Sequence, residues 1–233
     1  MPKDEANEES SPTSNARSVL IAMDQRSVTL RPARPSFDEG LAFARYLDEA
    51  AEGFFCLMLG RRAGQIIATA FVQPNHDLSY QNVTFAERNN VIVGMASGYT
   101  TGQHRRSSRQ PLKRAAGGCH LRMRIVLLLL APLMRIIDSI ADGDFYLQAI
   151  AVDKELRGVG VGSTLMDTIE DLAVASGSAR LALDVSAKNE TACKFYERRG
   201  MTVESKWPKR LYIPGLKFYR MTKALSTWNS YQI

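Results

Sequence analysis

The sequence predicts an α/β fold in which one mixed central sheet is flanked by helices within a single domain. Residues 145–152 read FYLQAIAV, which is apolar on nearly both faces, as in a central strand covered on both sides. A glycine-rich turn (157–162) follows, and then an amphipathic helix (163–176). The predicted elements have the order βααββαβαβαββ, which is typical of an α/β domain.

The first half of the chain supplies two helices and three strands. Residues 27–31 form a predicted strand that ends at Pro32. Ser36 and Glu39 have the spacing of a capping box, which predicts the start of a helix. Four apolar residues would form its buried face: Phe37, Leu41, Ala44 and Leu47. A second helical stretch, about 52–72, contains Gly60 and Gly64, which weaken it.

Two β-rich stretches, 81–87 and 91–99, are separated by Arg88, Asn89 and Asn90. Asparagine tolerates positive φ, so the sequence predicts a hairpin. Residues 100–120 are basic and loop-like, and residues 122–141 predict a helix with a kink at Pro132.

The second half alternates helices and strands. The 163–176 helix has a predicted buried face and a C-terminal glycine: Leu165, Ile169, Leu172, Ala173 and Gly177. Residues 179–185 alternate as a strand, with Leu181, Leu183 and Val185 on one side. Asn189 can cap a short helix that ends at Gly200. Two closing strands, 201–206 and 217–224, are predicted after it.

Composition limits the functional classes. The 233 residues carry a net charge of +6, and the acidic first 25 residues contribute −3 of it, which leaves +9 for the rest. This balance suits an anionic ligand such as a phosphate-rich cofactor, although a solvated basic surface is equally compatible. Three widely spaced cysteines indicate neither a disulfide framework nor a zinc site, so we expect a reducing, cytoplasmic setting. No secretion signal is visible, and the longest apolar run, 125–134, is too short for a membrane span.

The turn at 157–162 has the features of a phosphate cradle. Gly158, Gly160 and Gly162 permit positive φ and close approach of a ligand to the backbone. Free N–H groups at the following helix start would point at an anion. The spacing G-x-G-x-G matches neither a Rossmann fingerprint nor a Walker loop, and a purely structural turn stays an alternative.

These residues resemble the GNAT superfamily of N-acetyltransferases. Arg157, Gly160 and Gly162 match its Arg/Gln-x-x-Gly-x-Gly/Ala signature between the fourth strand and the third helix. A second family element, NETACKFYERRGM, supplies five more matches in the expected order: Asn189, Ala192, Tyr196, Gly200 and Met201. The resemblance is strong over 145–224 and looser over 26–100. It says nothing about residues 1–25, whose polar, non-periodic composition predicts a disordered leader. The predicted division of the chain is therefore a leader (1–25), a GNAT domain (26–225) and a C-terminal tail (226–233).

The resemblance implies that the chain binds acetyl-CoA and transfers the acetyl group to an amine, with no metal. It assigns the pantetheine arm to backbone groups of Ile150, Ala151 and Val152. Charge at the cradle entrance would come from Arg157, and the pyrophosphate would meet six main-chain amides: Gly158, Val159, Gly160, Val161, Gly162 and Ser163. Asn189 would contact the cofactor, and Tyr196 would lie beside the thioester sulfur and protonate the departing thiolate.

The sequence identifies neither the general base nor the acceptor amine. Many family members place a carboxylate on the fourth strand, where this chain has Gln148, which can orient a substrate but cannot take its proton. Asp142, Asp144 and Glu87 are candidate bases, each with a structural or solvated role as the alternative. A fourth-strand N–H would stabilise the developing oxyanion. A water relay, or an amine that arrives neutral, would remove the need for a base.

The remaining candidate residues are expected to have packing or surface roles. Cys193 is expected to pack rather than carry an acetyl group. His76, His104 and His120 are expected at the surface. The 100–124 insertion would shape the acceptor side or form a solvated loop, and the apolar helix after it would pack on the core or form a homodimer surface. The basic residues lack interleaved aromatics, which argues against nucleic acid. A non-catalytic acyl-CoA-binding module is the competing function.

Overall fold

A seven-stranded sheet organises the part of the chain that the computed structural model describes, residues 27–117, 120–129, 140–208 and 217–225. The strands are β1 (Thr29–Pro32), β2 (Val83–Arg88), β3 (Val91–Thr100), β4 (Asp144–Val152), β5 (Arg180–Ser186), β6 (Thr202–Trp207) and β7 (Phe218–Ala224). Their order across the sheet is β1-β2-β3-β4-β5-β7-β6. Only the β4–β5 pair is parallel, so the sheet is mixed, as predicted.

Eight α-helices accompany these strands in the described ranges. They are α1 (Phe37–Ala50), α2 (Phe54–Leu59), α3 (Ala63–Phe71), α4 (Thr101–Arg106), α5 (Gln110–Ala116), α6 (His120–Leu129), α7 (Val161–Ala175) and α8 (Glu190–Arg198). The predicted leader (1–25), the predicted tail (226–233) and the predicted kink at Pro132 lie outside the described residues, and the domain boundaries remain predictions.

The sheet separates two apolar cores, because successive strand residues point to opposite faces. Phe85 and Met95 pack with α1, α2 and α3, whereas their neighbours Ala86 and Ala96 pack with α7. Each face of the central strands is therefore covered, which explains why β4 is apolar along nearly its whole length.

The buried face of α1 differs from the prediction. Ser36 caps the helix as expected, accepting from the Glu39 N–H at 3.2 Å. The buried stripe, however, is Gly40, Phe43, Ala44 and Leu47, while Phe37 and Leu41 are 45% and 38% exposed. The cause is the contact with α3: a Cβ on Gly40 would lie 2.8 Å from the Ala68 Cα, so the glycine permits close approach of the two helices.

The second helical stretch is divided at one of its two glycines. Gly60 has φ 74° and ends α2, and a short 3₁₀ turn leads from it into α3. Gly64 lies within α3 and does not interrupt it. The β2–β3 hairpin is confirmed, and its turn residues Asn89 and Asn90 have φ values of 51° and 61°.

The insertion between β3 and β4 was expected to be a loop, and this was wrong. Thr100 and Gln103 form a complete capping box that starts α4, and Pro111 lies in the first turn of α5. The next predicted helix is described over His120–Leu129. Short helices, the first with a complete capping box, therefore occupy much of the segment that the basic composition suggested was irregular.

The second half follows the prediction closely. Leu165, Ile169 and Ala173 of α7 are buried, but Leu172 is 45% exposed, because the buried face turns towards Met166. Gly177 follows the helix at φ 73°. Leu181, Leu183 and Val185 are buried on one face of β5 as expected, and α8, β6 and β7 close the domain.

Candidate functional site

The central sheet splits between β4 and β5. The two strands pair only over Asp144–Tyr146 and Arg180–Ala182, at their amino-terminal ends. Beyond that point β4 has no described partner on its β5 side, so its backbone groups remain available. A cavity of about 270 Å³ occupies the split and is lined by both strands. The arrangement offers a strand edge to a ligand that can pair with main-chain groups.

A β-bulge lies in the wall of this cavity. Ala149 pairs with Ser97 and Leu147 pairs with Gly98, so Gln148 is the extra residue of β4. The alternation of β4 reverses there: Phe145 and Leu147 face α7 before the bulge, whereas Ile150 and Val152 do so after it. The backbone beside Gln148 is thereby freed from regular pairing with β3.

The Gln148 side chain is fixed by the buried Ser97, whose hydroxyl donates to Gln148 Oε1 at 2.8 Å. With its carbonyl oxygen occupied, the side chain retains the amide N–H groups as its remaining polar function. Gln148 therefore lines the cavity as a hydrogen-bond donor and not as a base.

The glycine turn after β4 forms a cradle for an anion. Gly158 and Gly160 have φ values of 80° and 101°, and a Cβ on either would meet no atom within 4 Å. Gly160 is the N-cap of the 15-residue helix α7 and supplies no side-chain hydrogen bond to it. The first N–H groups of α7 are consequently uncapped, and the helix dipole adds positive potential. These residues fit the pyrophosphate of coenzyme A.

Side chains around the cradle have structural roles. Arg157 donates through Nε to the Val152 carbonyl at 3.1 Å and pairs with Glu49 on α1. Its charge is thus largely compensated in this state, and the amides carry the attraction for an anion. Val161 is 5% exposed and contributes only its backbone, whereas Val159 is 68% exposed at the open rim.

Tyr196 lines the cavity with an unoccupied hydroxyl. The residue is 8% exposed, and its hydroxyl makes no hydrogen bond within the described part of the chain. By contrast, the hydroxyls of Tyr146 and Tyr46 donate to Asp184 and Asp153 at 3.0 and 2.9 Å. Burial raises the pKa of Tyr196, so its hydroxyl keeps its proton at neutral pH.

Four of the predicted site residues meet in the cavity: Gln148, Ile150, Asn189 and Tyr196. The oxygen of Asn189 accepts from the Ala192 N–H at 3.1 Å, so its side chain caps α8 and retains its NH₂ group for a ligand. The residues of the glycine turn do not line this cavity but lie in the adjoining turn.

Several residues that line the cavity were not predicted from the sequence. Phe54 and Phe55 at the start of α2, with Glu52 just before it, are among them. Tyr99 and Tyr146 are also lining residues. The sequence signal for these residues is weak: an acidic residue precedes Gly53, and two aromatic residues follow it. This pattern does not reveal which cavity the residues face.

The three candidate bases are each bound to an arginine. Glu87 pairs with Arg31 at 2.5 Å, which lowers the pKa of the carboxyl. Both oxygens of Asp144 accept from Arg180 at 2.9 Å, and this carboxylate is 3% exposed. Asp142 pairs with Arg105 at 2.5 Å on the surface. All three carboxylates are engaged in ion pairs, and none of them lines the cavity.

The expectation of surface histidines was wrong for two of the three. His76 is 5% exposed, and its ring nitrogens bond the Ala70 carbonyl and the Leu78 N–H. His104 is half-buried, where it pairs with Asp77 at 2.9 Å and stacks on a tyrosine. Both lie in segments without periodicity, so their partners, distant in sequence, were not visible. The His120 side chain lies outside the described residues.

Cys193 is half-buried on α8, and its sulfur lies 3.8 Å from the Ser186 carbonyl. Burial raises the pKa of the thiol, which disfavours the thiolate that nucleophilic chemistry requires. Among the described residues no three His, Cys, Asp or Glu side chains are grouped to hold a metal ion. None of the described helices is long and apolar enough to cross a membrane.

Several solved structures share this fold. A crystal structure of an acetyltransferase has a TM-score of 0.61 and 22% identity over 85% of this chain and 100% of that one. An N-acetyltransferase from Staphylococcus aureus Mu50 has a TM-score of 0.57 and 16% identity over 84% and 100%. A structure from Salmonella typhimurium that contains the cofactor acetyl-CoA has a TM-score of 0.52 and 16% identity over 86% and 95%.

Sequence comparison gives the family directly. No curated protein matches the sequence. The model of the acetyltransferase (GNAT) family, however, matches residues 69–201, which is more than half of the 233-residue chain. That range includes the split between β4 and β5, the bulge at Gln148, the glycine cradle and Tyr196. The chain therefore belongs to the GNAT family of acetyltransferases.

Proposed function

We propose that this protein is an acetyl-CoA-dependent N-acetyltransferase that acts on a primary amine by direct attack within a ternary complex. The observation that carries the proposal is the unpartnered hydroxyl of Tyr196 in a cavity that opens along the free edge of β4. The acetyl-CoA in the Salmonella typhimurium structure of the same fold supports the choice of co-substrate. The cysteine usage favours a reducing, cytoplasmic setting.

In this proposal the chain binds acetyl-CoA through β4, the glycine turn before α7, and Asn189. Main-chain groups of Ile150, Ala151 and Val152 pair with the pantetheine arm at the free strand edge. The amides from Gly158 to Ser163 bind the pyrophosphate at the start of α7. The NH₂ group of Asn189 is available to the same ligand on the other side of the split. No metal takes part.

The chemistry follows from the groups around the bulge. A main-chain N–H of β4 beside Gln148 donates to the thioester oxygen as negative charge develops there. The amine nitrogen bonds to the carbonyl carbon while the carbon–sulfur bond breaks, and the sulfur keeps the electron pair. Tyr196 donates its proton to that sulfur, and the proton lost by the nitrogen passes to water. Gln148 has no carboxylate, and Asp144 of β4 is bound by Arg180, so neither residue takes this proton.

Tyr196→Phe tests the proposal most directly. We expect kcat to fall by about 100-fold, the usual effect of losing a general acid, while the KM for acetyl-CoA changes by less than about twofold. Tyr46→Phe is the matched control, because Tyr46 is also buried but its hydroxyl is bound to Asp153 away from the cavity. A Tyr196→Phe enzyme with wild-type kcat at every pH would exclude the acid role.

A second candidate function is a non-catalytic acyl-CoA-binding module. The observation that favours it is that the three candidate bases, Glu87, Asp144 and Asp142, are each paired with an arginine. Calorimetric binding of acetyl-CoA combined with thiol release over a panel of amines separates the two functions. Binding without thiol release for any amine would establish the module.

A further inference from the structure

We propose that the acceptor is a small primary amine with a single positive charge and an apolar body of aromatic size. This inference rests on the proposed function, because it names the substrate class of the same cavity. It is drawn from the cavity residues that the proposed function does not assign to the cofactor, which are here called the acceptor wall.

Aromatic rings form much of that wall. Phe54 and Phe55 are half-buried at the start of α2, with ring centroids 5.4 Å apart at an interplanar angle of 77°. Tyr99 and Tyr146 line the cavity as a second pair, 5.7 Å apart and almost fully buried. The half-buried rings of Phe54 and Phe55 can contact a ligand ring and attract an ammonium group, whereas the two tyrosines are packed behind the surface of the cavity.

One of the two carboxylates that line the cavity, Asp184, is already paired within the protein. Asp184 accepts two hydrogen bonds from Arg220, at 2.7 and 2.8 Å, and a third from the Tyr146 hydroxyl at 3.0 Å. The carboxylate is therefore neutralised.

Glu52 is the other carboxylate that lines the cavity. Its side chain is exposed and forms no ion pair or hydrogen bond within the described ranges of the chain. The described lining thus presents one uncompensated negative charge beside Phe54 and Phe55. One carboxylate complements one ammonium group, whereas a polyamine would carry additional charges into an apolar space.

The size of the cavity sets the scale of the ligand. Its volume of about 270 Å³ must also accept the acetyl group. This is below the roughly 300–1,000 Å³ of pockets that enclose drug-sized ligands. The space suits a single ring on a short chain.

Steady-state thiol release with four amines tests the preference: 2-phenylethylamine, glucosamine, spermidine and a tripeptide with a free N-terminus. We expect kcat/KM for 2-phenylethylamine to exceed each of the others by about 100-fold, which corresponds to losing the aromatic contacts and leaving polar groups unpaired. A higher kcat/KM for any of the other three would overturn the inference while leaving the proposed function intact.

Variants of the wall provide a second measurement. Phe55→Ala is expected to raise the KM for 2-phenylethylamine about tenfold and Glu52→Gln about fivefold, without a change in the KM for acetyl-CoA. Leu57→Ala is the matched control, because Leu57 lies on the same helix, is 56% exposed and does not line the cavity. Glu52 is at the surface, so Glu52→Gln should fold even if Phe55→Ala does not. An unchanged KM in Glu52→Gln would contradict the charge argument.

A binding experiment separates failure of the inference from failure of the proposed function. Calorimetry on the protein saturated with coenzyme A would compare 2-phenylethylamine, glucosamine and uncharged 2-phenylethanol. Selective binding of 2-phenylethylamine without thiol release for any amine would refute catalysis and support the cavity assignment. Equal binding of 2-phenylethanol, or tighter binding of glucosamine, would refute the cavity assignment whatever the activity.

Discussion

Glutamate in place of Gly160 is expected to abolish coenzyme A binding in a protein that remains folded. Gly160 has φ 101°, so any L-residue there costs about 1–2 kcal/mol of folding free energy. For a chain of this length, that corresponds to a fall in Tm of about 2–8 °C. A carboxylate at the uncapped start of α7 would recover about 0.3–1 kcal/mol by its interaction with the helix dipole.

The effect on binding is much larger than the effect on stability. A carboxylate about 4 Å from one pyrophosphate charge is repelled by about 4 kcal/mol at an effective dielectric constant of about 20. This corresponds to an increase in the Kd for coenzyme A of about 1,000-fold. Gly160→Ala introduces the strain without the charge, so its Kd should rise by less than about tenfold. Gly160→Glu should be at least as thermally stable as Gly160→Ala.

Gly177 provides the matched control at the other end of the same helix. It has φ 73°, and a Cβ there would also meet no atom within 4 Å. Gly177→Ala and Gly177→Glu therefore introduce similar strain and the same charge far from the cradle. Titration calorimetry with coenzyme A and thermal unfolding of all four variants measure both effects. A Kd for Gly160→Glu within tenfold of that for Gly160→Ala would refute a pyrophosphate site at this turn.

Two further predictions concern stability. Gly40→Ala should destabilise the fold by about 1–3 kcal/mol, because its Cβ would lie 2.8 Å from the Ala68 Cα. Gly64→Ala should stabilise it by up to about 1 kcal/mol, because Gly64 is helical and its Cβ would have 4.0 Å of clearance. Burial lowers the pKa of His76, so below about pH 6.5 the unfolded chain binds a proton that the folded protein excludes. Stability should therefore fall as the pH drops from 7 towards the lowered pKa, and His76→Gln should flatten this slope.

Urea unfolding at several pH values measures these changes. Equal midpoints for Gly40→Ala and Gly64→Ala would contradict the proposed α1–α3 contact. A His76→Gln variant with the wild-type slope between pH 7 and 5 would show that another group titrates there.

Strands and turns were the predictable part of the fold, because their signals are local. The alternation of Leu181, Leu183 and Val185 defines one face of β5 without reference to other elements. Asn89 and Asn90 specify a tight turn through their tolerance of positive φ. The glycines of the cradle and the cap at Asn189 are local in the same way.

Helix faces were less predictable, because packing partners select them. The apolar side chains of α1 surround much of the helix, and only its contact with α3 through Gly40 decides that Phe43 is buried and Phe37 is not. The caps at Thr100 and Gln103 were present in the sequence of the insertion, but the high charge of the segment obscured them.

The candidate site shows the same contrast between local and distant signals. The glycine turn at 157–162 and the cap at Asn189 follow from motifs in continuous sequence. The aromatic wall brings Phe54 and Tyr146, which are distant in the chain, to one cavity, and only the tertiary structure shows it. The same holds for the bond between Ser97 and Gln148, which determines what the glutamine can donate.

The bulge at Gln148 makes the chemistry of β4 inseparable from its packing. Deleting one residue there would straighten the strand but rotate everything after it by half a turn. Ile150 and Val152 would then be forced against the helices that now meet Ala149 and Ala151, and a void would open beneath α7. A regular strand is thus incompatible with both cores at once, and the irregular backbone beside Gln148 is retained by the same forces that keep the protein folded.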